Sequence, residues 1–433
     1  MTDHSPQNQS SDGTSRRAFL KKSTTLLAGG ALAAGVAKPP MIYAAGGETL
    51  KVGLIGCGGR GNGAAVNAVR ADPNVKMTAL ADIFPDQVEK SLANLKQRLG
   101  DKVAVDDDHC FTGVDAYKEL MQTDVDVVLL CSPPHFRPAQ LKAAVDAGKH
   151  IFCEKPVAVD APGVRHVLAT AEEAKRKGLS LVSGLCFRYH HGMRETIKRI
   201  KEGAIGDIVA IQENYLTSTL WHRGRSPNWS EMEYQIRNWL YFTWLSGDHN
   251  VEQHIHSLDK ALWLMDDQPP VSCFGLGGRQ VRTDEQWGHI YDHHAVCYEF
   301  AGGIKVFSYT RQMDRCDNDV DDYVLGTQGS ARLLKFSIEG PRPWRYDGPK
   351  PSMYDVEHQE LFAGIRSGKH INNGLYMSRS TLLAIMGRMA TYTGRTITWD
   401  EAINSTQDLT PAKYEWGDVQ TPEVAMPGLT NFS

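Results

Sequence analysis

The 433-residue chain contains no uncharged apolar run of the roughly 18 to 20 residues that a membrane-spanning helix requires. It also lacks a surplus of either charge, with 47 basic and 51 acidic side chains and a formal net charge of −4. Five of the basic and two of the acidic groups fall in the first 45 residues, which leaves 42 against 49 and a net −7. Nucleic acids and anionic membranes call for clustered Lys and Arg, so neither is an expected partner. The eight cysteines contain no CxxC pair, and several sit in apolar runs such as Leu129-Leu130-Cys131 and Ile151-Phe152-Cys153, which predicts buried free thiols. No internal repeat is visible. What remains, 41% hydrophobic and 9% aromatic, is the composition of a globular chain with a large core.

The N-terminus has three successive registers. A polar stretch ends at Ser11, Arg16-Arg17-Ala18-Phe19-Leu20-Lys21-Lys22 is basic, and Ser23 to Ala37 is uncharged. Small residues at Ala44–Gly46 complete the order expected of a removable export signal. The paired arginines before Phe-Leu-Lys resemble a twin-arginine (Tat) signal, which implies export of an already folded protein through the Tat machinery to the periplasm or beyond. No cysteine follows the apolar stretch, so no lipid anchor is expected.

From Leu50 onward apolar strands alternate with amphipathic helices, the pattern of a parallel α/β sheet. Strands are predicted at Leu50–Gly56, Val75–Asp82, Val125–Ser132, His150–Glu154 and Ser180–Leu185, with helices at Pro85–Leu99, Pro138–Ala147 and Ala161–Lys177. After residue 185 the strands lengthen and alternate in polarity, predicting a second, α+β domain with a large, mostly antiparallel open sheet. Residues 1–45 thus read as a signal peptide, 48–185 as a Rossmann-like parallel α/β domain, 186–410 as the α+β domain, and 411–433 as a tail.

Gly56-Cys57-Gly58-Gly59-Arg60-Gly61 follows the first strand and opens a helix, with Asp82 ending the next strand. Gly56 allows the tight turn, Gly58 lets a pyrophosphate approach the backbone, and Gly61 allows close helix packing. The helix N-terminus offers free N–H donors to the phosphates. Asp82 can accept from the adenine ribose hydroxyls and repels a 2′-phosphate, favouring NAD, while Arg60 keeps NADP open because it can pair with phosphate.

Cys153-Glu154-Lys155-Pro156 stands at the carboxyl end of a strand, where open α/β sheets place their chemistry. Together, the glycine turn, Ser132-Pro133 and Glu154-Lys155-Pro156 resemble the Gfo/Idh/MocA oxidoreductases over about residues 50 to 390. The resemblance implies that Lys155 reaches both the nicotinamide end of the cofactor and the reacting hydroxyl. It also implies that Ser132, Pro133, His135 and Glu154 border the cofactor. The family's Asp-x-x-x-His signature corresponds to Glu252-Gln253-His254-Ile255-His256, making His256 the general base and Glu252 one methylene longer than the usual Asp. Arg137 stands where many relatives carry a second histidine.

Read as one helix from His249 to Met265, residues His249, Glu252, His256 and Asp259 share a face, and such a polar stripe is costly to bury without a task. Arg188-Tyr189, just after the last Rossmann-like strand, is a further pair expected to face the substrate. Residues 221–244 hold four of the nine tryptophans with Tyr234 and Tyr241, suiting either a sugar ring or a core. The expected chemistry is reversible oxidation of a sugar, polyol or glycoside hydroxyl, with a tightly bound NAD. A glycoside hydrolase that oxidises the ring transiently uses the same elements. A metal site drawn from His249, Glu252, His254 and His256, with His222 or His293-His294 as further ligands, is disfavoured because H-E-x-x-H spacing is absent. A sugar-binding protein on a retired scaffold would have no need of Lys155 and His256. A homodimer or homotetramer is expected from the resemblance.

Overall fold

The computed structural model describes residues 47–432; the Arg16-Arg17 leader and its cleavage region lie outside them. Six strands, β1 (Leu50–Ile55), β2 (Val75–Asp82), β3 (Cys110–Thr112), β4 (Val127–Leu130), β5 (His150–Cys153) and β6 (Leu181–Ser183), form an all-parallel sheet in the order β3-β2-β1-β4-β5-β6. Strands β4 and β5 are buried at every residue, because helices cover both faces, and they are apolar apart from His150 at the start of β5. The chain leaves β1 toward β2 on one side and reaches β4 on the other. This reversal opens a crevice at the carboxyl ends of β1 and β4, where Gly56 and Ser132 lie.

The second sheet has nine strands: β7 (Ile208–Thr217), β8 (Ser272–Gly278), β9 (His293–Glu299), β10 (Lys305–Gln312), β11 (Asp319–Gly326), β12 (Ser330–Arg332), β13 (Ser337–Glu339), β14 (Trp344–Arg345) and β15 (Ile397–Thr398). Their order is β14-β13-β12-β11-β7-β10-β9-β8-β15, with only β7–β10 parallel. Side chains alternate as a one-sided sheet demands. Val296, Ser308, Glu213 and Asp322 are buried on the inner face, whereas Phe274, Leu276, Phe307, Tyr309 and Leu325 are exposed on the outer one.

Two features depart from the sequence reading. The helix Met353–Ser367, assigned by position to the second domain, packs on the helix Gly59–Ala71 of the nucleotide half. Its Val356, Leu361, Phe362 and Ile365 join the core of Leu50, Val52 and Leu54, and Arg366 pairs with Asp72 at 2.5 Å. The predicted single helix from His249 is also broken. It runs His249–Glu252 and resumes at Ile255, with the amides of Gln253 and His254 both reaching the His249 carbonyl at 3.0 and 3.1 Å. One extra residue in that turn rotates everything before it by about 100°. The C-terminal segment is packed as well: Tyr414 bonds His135, and Trp416 stacks on Phe84 at 5.7 Å.

Candidate active site

The glycine turn is built for close backbone approach. Gly56 has φ +95°, and a Cβ there would lie 2.4 Å from the Ser132 amide nitrogen. A Cβ on Gly61 would fall 1.9 Å from the Gly56 carbonyl oxygen, whereas Gly58 and Gly59 face open space. That open floor, at the N-terminus of the helix Gly59–Ala71, is the shape a pyrophosphate needs. Asp82 accepts from the amides of Cys57 (2.7 Å) and Phe84 (3.0 Å), which fixes its carboxylate at the rim of the same crevice. Burial raises its pKa against the opposing pull of those amides. These residues fit a dinucleotide.

The crevice continues into a cavity of about 280 Å³ lined by Arg60, Ser132, Arg137, Glu154, Lys155, Gly184, Trp239, Glu252, His256 and Tyr354. Lys155 donates from Nζ to the Glu252 carbonyl oxygen at 2.5 Å and to Glu252 Oε1 at 2.8 Å. The helix break explains the first bond: His256 turns its amide to Gln253 instead, leaving the Glu252 carbonyl to the ammonium. His256 has no hydrogen-bond partner at Nδ1, and its ring stands edge-on to Phe187 at 5.6 Å. Burial first, then Lys155 and Lys260, hold its pKa well below the ordinary value, so the ring is neutral and free to accept a proton at pH 7.

Glu154 and Arg60 form a second pair. Arg60 Nε donates to Glu154 Oε1 at 2.5 Å and reaches Glu357 at 3.4 Å, with the guanidinium over the Tyr354 ring. Burial would raise the Glu154 carboxyl, but Arg60, Lys155 and Arg137 together hold it low. Arg60 therefore lines the cavity with Lys155 and His256, and it is not placed to take a 2′-phosphate beside Asp82. Arg137 is buried and donates to the carbonyls of Ser132 and Pro156, pinning the Ser132-Pro133 loop to the Glu154-Lys155-Pro156 turn. A Cβ on Gly184 would lie 2.6 Å from Glu154 Oε2, so that position keeps the carboxylate's place clear.

Five predicted site residues lie elsewhere. His135 turns away from the cofactor crevice, bonding Tyr414 at 2.6 Å and packing against Trp244. His249 is rotated out by the helix break and joins Asp248 and His294 in a buried cluster. Asp259 and Arg188 face each other in the core at 2.8 Å, Asp267 adding a second contact at 2.6 Å and Ser380 a hydroxyl to Asp259. Tyr189 is buried and donates to Asn373. These four served the helix-face and sequence-adjacency arguments, which the broken helix and the core ion pair defeat. Replacing Arg188 with methionine strands two carboxylates and is expected to cost about 3–5 kcal/mol in urea unfolding, with KM unchanged. A raised KM at unchanged stability would restore the substrate role.

The aromatic segment divides in the same way. Tyr234, Tyr241 and Trp244 are core residues with Phe84 and Phe242, and Trp239 lines the cavity. Tyr354, Gly184 and Glu357 were not legible, because the first and last arrive only through the long-range return of the helix Met353–Ser367. Among the described residues, Asp248, His249 and His294 are the candidate metal-ligand group. The Asp248 carboxylate is already engaged by both histidines, the Tyr392 hydroxyl and the Tyr291 amide, which satisfies it without an ion. All eight cysteines are free, and four of them, Cys57, Cys153, Cys186 and Cys273, are buried.

Comparison with known proteins agrees with this geometry. Residues 50–181 match the oxidoreductase family GFO_IDH_MocA, NAD-binding Rossmann fold. The chain is 28% identical over 288 residues to an inositol 2-dehydrogenase of Cereibacter sphaeroides, spanning 66% of this chain and 74% of that one. In fold it is similar to aldose-aldose oxidoreductase from Caulobacter crescentus (TM-score 0.64, 18% identity, 81% of this chain and all of that one). It is also similar to levoglucosan dehydrogenase in complex with NADH and levoglucosan (TM-score 0.63, 19% identity, 81% and 99%). The glycine turn, the crevice above it and the lysine at its end thus lie in the stretch that matches the NAD-binding Rossmann domain of that oxidoreductase family.

Proposed function

We propose that this enzyme oxidises a secondary hydroxyl of a sugar, polyol or glycoside and retains its NAD tightly between turnovers. The observation that carries the reading is the meeting of Lys155, Glu252 and His256 in one cavity that opens from the crevice above the glycine turn. Neutral His256 takes the hydroxyl proton, and Lys155 stabilises the developing alkoxide where little water competes. Glu252 holds the ammonium in place through two contacts. The bound nicotinamide supplies hydride acceptance. Trp239 and Tyr354 offer aromatic faces to the apolar side of a ring, and Arg60, Glu154 and Glu252 offer polar groups to its rim. Relatives named inositol 2-dehydrogenase and a fold neighbour that binds levoglucosan support the substrate class.

The leader around Arg16-Arg17 supports export in the folded state with cofactor aboard. The exposed apolar outer face of the second sheet supports a homo-oligomer joined there.

The test is product analysis by NMR after mixing the purified protein with free sugars and glycosides, without added nucleotide. A keto-sugar formed in step with bound NADH absorbance is the expected result. Aglycone released over many turnovers without lasting NADH would overturn it in favour of redox-assisted hydrolysis.

A further inference from the structure

The crevice above the glycine turn has a roof that comes from the second half of the chain. Arg223, Ile236, Arg237 and Trp239 line the same cavity as Gly56, Gly58 and Asp82. This segment is bolted down at the adenosine end. Arg237 pairs with Asp86 at 2.9 Å, four residues beyond Asp82, and its guanidinium lies over Phe84 at 3.9 Å. Met232, Tyr234, Ile236 and Leu240 share one buried cluster with Phe84.

Charge in this cavity is unbalanced in a telling way. A pyrophosphate brings two negative charges beside Asp82, and the helix N-terminus offsets only about half of one. The turn's own cation, Arg60, is committed to Glu154 and Glu357. Arg237 is committed to Asp86 and Glu233. Arg223 makes no ion pair among the described residues, and its loop is built rather than loose. Its amide donates to the buried Asn238 side chain at 2.8 Å, Asn238 donates back to the Gly224 carbonyl, and its guanidinium rests on Trp221.

We infer that Arg223 is a cofactor-binding residue: it supplies from the roof the positive charge that the pyrophosphate lacks below, and so retains the dinucleotide. This deepens the proposed function and rests on its NAD-binding part. An exposed charge acts through a screened field, so the effect fades with salt.

The test measures NADH binding and release by fluorescence for the full chain carrying Arg223→Gln, Arg223→Lys or, as a neighbouring control, Arg225→Gln. Arg225 lies over Tyr234 and pairs with Glu231, outside the residues lining the crevice. Arg223→Gln is expected to raise the Kd about tenfold at 50 mM salt and to approach wild type at 0.5 M, with Arg223→Lys between them and Arg225→Gln unchanged. Equal Kd for Arg223→Gln and Arg225→Gln at low salt overturns the role of Arg223 and leaves the dehydrogenase reading standing. A wild-type protein that binds no NADH overturns both.

Discussion

Replacing Lys155 with methionine lowers the rate of hydride transfer by about 10²–10⁴, while NADH binding stays within a few-fold of wild type. Methionine keeps the length and removes the charge, so what is lost is stabilisation of the alkoxide, together with the ammonium contact to Glu252. The substitution has a second signature. Burial and then Lys155 depress the His256 pKa, so activity in the wild type holds below pH 6.5 and falls only as the pH drops through the depressed value. Without the neighbouring charge that acid limb moves upward, though only part of the way, because burial remains. A single-turnover pH profile reads both effects. Unchanged single-turnover rates would remove Lys155 from the chemistry.

Acid is expected to unfold the protein through its buried histidines. Burial holds His135, His150, His249, His289 and His358 down to about 4. Each is neutral in the fold but takes a proton in the unfolded chain below about 6.5, so the unfolded state binds more protons and stability falls as the pH falls. The loss begins at the unfolded value and is complete at the folded one. At pH 5 it amounts to about 2 kcal/mol for each histidine. Five such losses rival the whole stability of an ordinary fold, about 5–15 kcal/mol. Urea midpoints measured from pH 7.5 to 5 should therefore decline steeply. Flat midpoints would mean that these rings ionise in place.

Much of the nucleotide half was legible because its chemistry is local. Val75–Asp82 and Pro85–Leu99 carry their boundaries in apolar runs, a proline at the helix start and a glycine after its end. Gly56, Gly58 and Gly61 declare their task by spacing, since each answers a close approach within a few residues. Lys155 and Glu252 could be named from their motifs, but their contact across 97 positions could not.

The places where the reading failed share a cause. The stripe from His249 to Asp259 was counted on an unbroken helix, and the break at Gln253 depends on tertiary partners: Asp248, held at φ +82° by Tyr392, Tyr291 and two histidines. His135 was placed beside the cofactor by the family resemblance, yet the pull comes from Tyr414, 279 residues away. Arg60 was free on paper and is spoken for by Glu154 and Glu357. The sequence by itself determined the parallel sheet, the glycine turn and the side chains available for proton and charge handling, because these follow from period, spacing and residue chemistry. Only the tertiary structure decided which polar groups face the cavity and which satisfy one another in the core. A buried charge goes to whichever partner the fold brings within about 3 Å, and that partner is set by packing far along the chain.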